Sequence, residues 1–540
     1  MGVDGIQQCN DLNAIADNVL KEGDRPFWGD DLDGRLDFFA EQLTEVRPEE
    51  RSELIDTLLE KDGGATMSWL TSEKLDKLVG DGRITDLERE TITQAVADAY
   101  VDGAIGFQDV ASFTNIFGNG AVAPAGLNPN GAVVTDTIDA LANSANGTAF
   151  IEKFAGECLS GRILAEPPMF TPMEQGNFAG VMLNALDQAG GTASVNAVLS
   201  GLSGDARSTL QEVVSAHGMA FTNPAFEGRD VRDPMAILID TVSEHGTSQD
   251  VNDLVRFVGD NASGDAFDNH YFDHQNKPLP QRAEALSDLF VNHSDAILNE
   301  LTVGNEGKPS GSTNPNETHV GNDLATLSNL FRLTGLNPDN PKASQVMDAV
   351  ADFTTDAINI SNKLEGVDDV DGNGVVDHQD LRMIEGATAD VAMITAALQD
   401  AVATGYADLE ADNAARDAMA GFLIDVAVSA IPVVGSKASG PIADAVSDAL
   451  GGLSEGVREE IADALASIPE ELLTTAQGQL TDTAKAAIID ALPEDYQYLE
   501  GISQDAEKFI FDTIYAQAAR INDLSNTVQK YRGFIDSARG

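Results

Sequence analysis

The sequence predicts an all-α protein, a multi-domain helical array or bundle, and three observations lead there. Hydrophobic residues make up 42% of the 540-residue chain but aromatics only 6%, with 49 glycines, a composition suited to closely approaching helices. Apolar residues recur every three or four positions along most of the chain, and two-residue alternation is scarce. Helix starts are chemically marked: Thr85-Asp-Leu-Glu88 reads as a capping box behind the turn Gly80-Asp-Gly82, and Pro48 with Glu49 and Glu50 suits the first turn of another helix.

Taken in order, the chain divides into four expected segments. Residues 1–116 form a helical domain punctuated by Asp-Gly turns, and the Gly/Pro/Asn-rich stretch Phe117 to Gly131 separates it from a second helical domain, 132–303. An internal echo links Leu43-Thr-Glu-Val-Arg-Pro-Glu-Glu-Arg-Ser-Glu-Leu54 to Leu199-Ser-Gly-Leu-Ser-Gly-Asp-Ala-Arg-Ser-Thr-Leu210. Two readings stay open, shared capping chemistry at two helix starts or a duplicated helical unit. The run Gly304 to His319, crowded with Gly, Pro, Ser and Asn, is the clearest linker. Residues 320–415 follow as a third helical domain, and 416–540 as a fourth, holding the apolar segment Ala418 to Gly435 and a C-terminal helix. In that helix Ile510, Ile514, Gln517, Ile521, Leu524, Val528 and Tyr531 keep a four-three spacing. It reads either as an amphipathic helix on its own domain or as a pairing helix.

The stretch with the most explicit chemistry is Asp369-Val-Asp-Gly-Asn-Gly-Val-Val-Asp-His-Gln-Asp380. Asp369, Asp371, Asn373 and Asp377 place side-chain oxygens at positions one, three, five and nine, Val375 offers a carbonyl at seven, and Gly374 permits the sharp turn at six. This resembles an EF-hand or dockerin-like calcium loop, with Asp380 where a bidentate Glu is usual. Ca2+ is the expected cofactor, and the shorter last arm implies a weaker or more magnesium-tolerant site. The flanks are expected to be an incoming helix from Ala343 to Leu364 and a short exiting one from His378 to Ile384.

Two upstream segments, Asp81 to Glu88 and Asp102 to Asp109, copy only the back half of that loop. Lys77 and Val79 stand where the first needs ligands, and Tyr100 where the second does. The simpler expectation is a tight helix reversal in which Gly makes the turn, Ile anchors it and the later acid caps the next helix. Asp31, Asp33 and Asp37 match less well still, because Ala40 holds the last position. His270-Tyr-Phe-Asp-His274 would put two imidazoles one turn apart if helical, but the general-base Glu of a zinc protease helix is missing, and a polar helix end or loop is expected. His293 is expected to be a surface or satisfied residue.

Charge narrows the function classes. With 32 basic against 89 acidic residues the formal charge is −57, which repels phosphate backbones and anionic lipid and disfavours nucleic acid as a partner. A halophilic proteome, secretion into millimolar calcium and a highly soluble carrier surface remain alternative origins. Cys9 and Cys158 are the only cysteines, too few for a disulfide framework. The first ten residues show no Sec-type signal. Phosphate-cradling Gly-Lys-Ser/Thr loops, Gly-x-Ser-x-Gly elbows and Cys-x-x-Cys pairs are absent, and no histidine follows His378.

Gly421-Phe-Leu-Ile-Asp-Val-Ala-Val-Ser-Ala-Ile-Pro-Val-Val-Gly435, with the helical pattern Arg282 to Phe290 and Ala296 to Leu301, resembles pre-toxin regions of bacterial polymorphic toxins and related helical secreted proteins. The resemblance carries no catalytic residue. It implies export by a dedicated machine, without a cleaved signal, and a role against or inside another cell; a cytoplasmic protein is the alternative. The expected function is a calcium-binding secreted effector or toxin-like protein, a virulence factor that binds or engages a membrane, with a protein partner or secretion machinery implied. The alternative is a structural or adaptor protein that organises an assembly through its helical array and C-terminal heptads, and the oligomeric state stays open.

Overall fold

The computed structural model describes residues 11–22, 32–114, 137–164 (139 and 143 apart), 171–217, 231–262, 271–272, 278–302, 318–362, 378–403, 409–429, 431, 439–474 (451 apart) and 480–493. Every described element is helical, and the only β pairings among the described residues are two isolated bridges, Phe272 with Pro278 and Thr474 with Leu480. The chain falls into two compact units, Met1–His245 and Gly246–Gly540.

The first unit runs through α1 (Leu12–Lys21), α2 (Leu32–Glu45), α3 (Arg51–Asp62), α4 (Thr66–Trp69), α5 (Ser72–Gly80), α6 (Asp86–Asp102), α7 (Phe107–Thr114), α8 (Gly147–Cys158), α9 (Pro172–Gly201), α10 (Gly204–His217) and α11 (Pro234–His245). Its starts follow the expected chemistry. The Thr85 N–H donates to Glu88 Oε2 at 2.7 Å and the Glu88 N–H to Thr85 Oγ1 at 3.2 Å, closing the capping box of α6. Thr171 and Glu174 repeat the device at α9, with Pro172 as the first helical residue. Pro48, Glu49 and Glu50 instead form a single 3₁₀ turn ahead of α3, which begins at Arg51. Both halves of the internal echo are helix, turn, helix. Val46 and Leu202 are buried at the two turns, and Leu54 and Leu210 are buried in the helices that follow.

The few aromatics are concentrated where helices meet. Tyr100 on α6 lies edge-on to Phe150 and Phe154 of α8 at 5.6 and 6.1 Å between ring centroids, and Phe107 of α7 sits 5.3 Å from Phe154. The Lys153 ammonium rides 4.3 Å over the Tyr100 ring while donating to the Tyr100 carbonyl. A second contact sets Trp69 edge-on to Phe39, with the Arg35 guanidinium on the indole. Large rings bury 150–250 Å² each, roughly, so a handful of them fastens α6, α7 and α8 into one core.

The second unit holds α12 (Ser248–Ala262), α13 (Pro280–Leu301), α14 (Thr318–Leu333), α15 (Ala343–Asn362), α16 (His378–Ala403), α17 (Leu409–Ser429), α18 (Ser439–Ala449), α19 (Glu455–Ala466) and α20 (Asp482–Ala491). α15 packs on α13, α16 and α17, and α17 packs in turn on α18 and α20. The expected linker ends earlier than its composition suggests, because Thr318 and His319 already belong to α14; its residues 304–317, and the stretch Phe117 to Gly131, lie outside the described residues.

Candidate metal centre

The ligand set expected for calcium falls almost wholly outside the described residues: Asp369, Asp371, Asn373, Val375 and Asp377 are not among them. Asp380 lies in the first turn of α16, its side chain undescribed. Both flanking helices are described, and they pack against each other. The incoming α15 buries Val346, Val350 and Phe353, and α16 buries Ala387, Val391, Ile394, Leu398 and Ala401. The exiting helix is much longer than expected, running on from Ile384 through Gly386 to Ala403. One glycine inside a helix costs about 1 kcal/mol, which the apolar face just beyond it outweighs.

Acidic charge also gathers along α15. Asp348, Asp352 and Asp356 follow one another at four-residue spacing along one face of it. Burial and then the Asp352 carboxylate push Asp348 above the ordinary carboxyl range. Asp356 is raised by burial, Asp352 and Asp295, against a smaller pull from Lys485. Asp425, set in the apolar stretch of α17 between buried Ile424 and Val426, is raised chiefly by burial. Lys485 of α20 pulls it back down, while Asp352, Asp348 and Asp482 push it up. The Lys485 side chain is only 11% exposed. Among the described residues no three His, Cys, Asp or Glu side chains are grouped closely enough to hold a metal ion.

The two upstream half-loops are helix reversals with identical wiring. In the first, Gly82 (φ 70°) donates to the Val79 carbonyl, and the Arg83 and Ile84 N–H groups both donate to Leu78. In the second, Gly103 (φ 82°) donates to Tyr100, and Ala104 and Ile105 both donate to Ala99. This is the Schellman closure, and a left-handed φ is why each turn needs glycine. Ile84 and Ile105 are buried anchors. The later acid turns back to cap: Glu88 takes the Thr85 N–H, and Asp109 takes the Gly106 N–H at 2.8 Å. Lys77, at one failed ligand position, places its ammonium 3.2 Å from Asp33, and Arg83 reaches Asp37 at 3.2 Å. Asp33 and Asp37 of α2 are thus matched with cations; Asp31 lies outside the described residues.

His270 and His274 lie outside the described residues, and Tyr271 and Phe272, which are described, are not helical. Tyr271 and Phe272 are buried, Phe272 pairs with Pro278, and the Arg282 and Arg332 guanidinium groups stack on the two rings at 5.4 and 4.7 Å. His293 marks a kink in α13, with φ −132° and ψ 24°. Of the apolar segment, Ala418 to Ser429 is the latter part of α17, with Phe422, Leu423, Ile424, Val426, Ala427 and Val428 buried, and Pro432 to Gly435 lie outside the described residues, as do the C-terminal heptad positions. No helix among the described residues is long and apolar enough to cross a membrane.

One grouping went unseen in the sequence because its members are far apart in the chain. α9 breaks at Gly191 (φ 63°, ψ −159°), and the Thr192 hydroxyl beyond the break donates to Glu244 Oε2 at 2.5 Å and lies 3.1 Å from His245 Nε2 at the end of α11. No family model matches the chain, and no curated protein matches it.

Proposed function

We propose that the chain is a calcium-binding, non-catalytic protein of the secreted-effector kind, in which calcium at Asp369, Asp371, Asn373, Val375, Asp377 and Asp380 stiffens the junction between α15 and α16. The observation that carries this reading is a twelve-residue ligand pattern bounded by two helices that pack on each other. Ordering such a loop removes its conformational freedom and makes the helix pair one rigid element. A solitary loop of this kind favours a structural role for the ion over a switching one. The effector then acts through its surfaces, on a protein partner or at a membrane.

The test is thermal unfolding with and without calcium, beside the double substitution Asp369→Ala with Asp371→Ala. Calcium is expected to raise the melting temperature of the native chain and not that of the variant. Equal melting of the native chain in calcium and in chelator would sink the reading. Liposome dye release at neutral and low pH addresses the membrane branch separately, and no leakage under any condition removes it.

A further inference from the structure

We propose that the seam where α17 meets α15 and α20 in the second unit is an acid-tightened clasp, which holds the apolar α17 firmly in mildly acidic solution and loosens it toward neutral pH. α17 packs on both of those helices. Facing Asp425, α15 brings Asp348 and Asp352, with Asp356 one turn further on and within electrostatic reach of Asp295 of α13. From the other helix α20 brings Lys485 together with Asp482, whose carboxylate lies 3.4 Å from the ammonium. α17 also packs on α16 and α18, and the charged side chains described there, Asp390 and Asp400 on the first and Asp444 and Asp448 on the second, are acids too. On α15, α16, α17, α18 and α20, Lys485 is the one cation among the described side chains, and it is only 11% exposed.

This imbalance fixes the direction of the effect. With every carboxyl ionised, one ammonium offsets several carboxylates, and Asp425 sits between buried Ile424 and Val426, where water screens it poorly. Unfolding separates the charges, so ionisation favours the open chain and protonation the closed one. The carboxyls respond accordingly. Asp425, Asp348 and Asp356 are each raised, by burial first; Asp352 adds to all three, and Lys485 opposes the rise at Asp425 and Asp356. A carboxyl held above 3.8 in the folded chain stabilises fully below that value, and its contribution is lost as pH rises through the folded value. α17 carries Phe422, Leu423, Ile424, Val426, Ala427 and Val428 into the core, so loosening it uncovers apolar surface near neutral pH and acid hides that surface again. The direction is the reverse of an acid-triggered insertion helix, and nothing in the clasp requires calcium.

The experiment is hydrogen exchange of the full chain by mass spectrometry at pH 5 and pH 7, corrected for the intrinsic pH dependence of exchange, with α8 of the first unit as internal reference. Each unit by which a folded carboxyl exceeds its unfolded value is worth about tenfold in the opening equilibrium, so protection of α17 and α20 should fall severalfold from pH 5 to pH 7 relative to α8. Asp352→Asn removes the shared repelling charge and should raise the protection of α17 at pH 7, narrowing the difference between the two pH values. Lys485→Gln removes the one cation and should lower protection more at pH 7 than at pH 5. Equal corrected protection of α17 in the native chain at the two pH values would overturn the proposal whether or not either variant folds. A pH difference as large in Asp352→Asn as in the native chain, or an equal loss at both pH values in Lys485→Gln, would overturn it as well.

Discussion

Phe154 is the residue whose removal tests the core of the first unit most directly. It is fully buried, and its ring lies 5.3 Å from Phe107, 5.6 Å from Phe150 and 6.1 Å from Tyr100. Truncation to alanine strips a ring that touches three others and leaves a cavity that α6, α7 and α8 cannot close without shifting. Buried Phe→Ala changes cost about 3–5 kcal/mol. For a unit of this size each kcal/mol moves the midpoint by about 2–4 °C, so a fall on the order of 10 °C is expected. Phe154→Leu retains much of the volume and loses the ring contacts, and should cost about 1–2 kcal/mol. Both tryptophans, Trp28 and Trp69, lie in the first unit, so fluorescence excited at 295 nm follows its unfolding without signal from the second. Leu87→Ala, at a site 69% exposed, is the control and should change stability by less than about 0.5 kcal/mol. If Phe154→Ala unfolds with the midpoint of Leu87→Ala, the aromatic cluster does not fasten these helices.

Other expectations follow from single contacts. Thr85→Ala removes the hydroxyl that caps α6 and should cost about 1 kcal/mol by the same fluorescence assay. Two glycine substitutions should have opposite signs. Gly147→Ala places a methyl 1.8 Å from the Ala142 carbonyl oxygen and must shift backbone, whereas Gly421→Ala meets nothing within 4 Å inside α17 and should stabilise by about 0.5–1 kcal/mol. Asp425 gives a pH dependence. Its carboxyl is raised from 3.8 in the folded chain, so its contribution to stability is full below that value and is lost as pH rises through the folded value. Asp425→Asn should therefore slow hydrogen exchange in α17 at neutral pH and flatten its dependence on acid; faster exchange in the variant would mean the carboxylate is held by attraction to Lys485 instead.

Local chemistry was what the sequence disclosed best. The Thr85 capping box, the glycines at 82 and 103 and the Ile84 and Ile105 anchors each depend on neighbours within six residues, so their pattern survives without tertiary information. Features that depend on distant partners did not show. Lys77 could be recognised as a failed ligand, but Asp33, its partner 44 residues earlier, could not be paired with it from spacing. The same holds for Thr192 and His245, 53 residues apart. α16 outruns the short helix expected from His378 to Ile384 because the buried face from Ala387 onward is a property of the packed bundle. The proposed calcium loop is legible for the opposite reason. All its ligands lie within twelve consecutive residues, so its identity rests on the sequence alone.

The paired reversals at Gly82 and Gly103 separate what a turn needs from what it leaves open. Each closes through backbone hydrogen bonds, a glycine, an isoleucine and a returning acid, and none of these involves the side chain just after the glycine. That position holds Arg83 in one copy and Ala104 in the other. In the first it sends a cation across to Asp37; in the second it sends nothing. A helix reversal built this way is a socket with one interchangeable residue, where new long-range contacts can be gained or lost without reopening the turn.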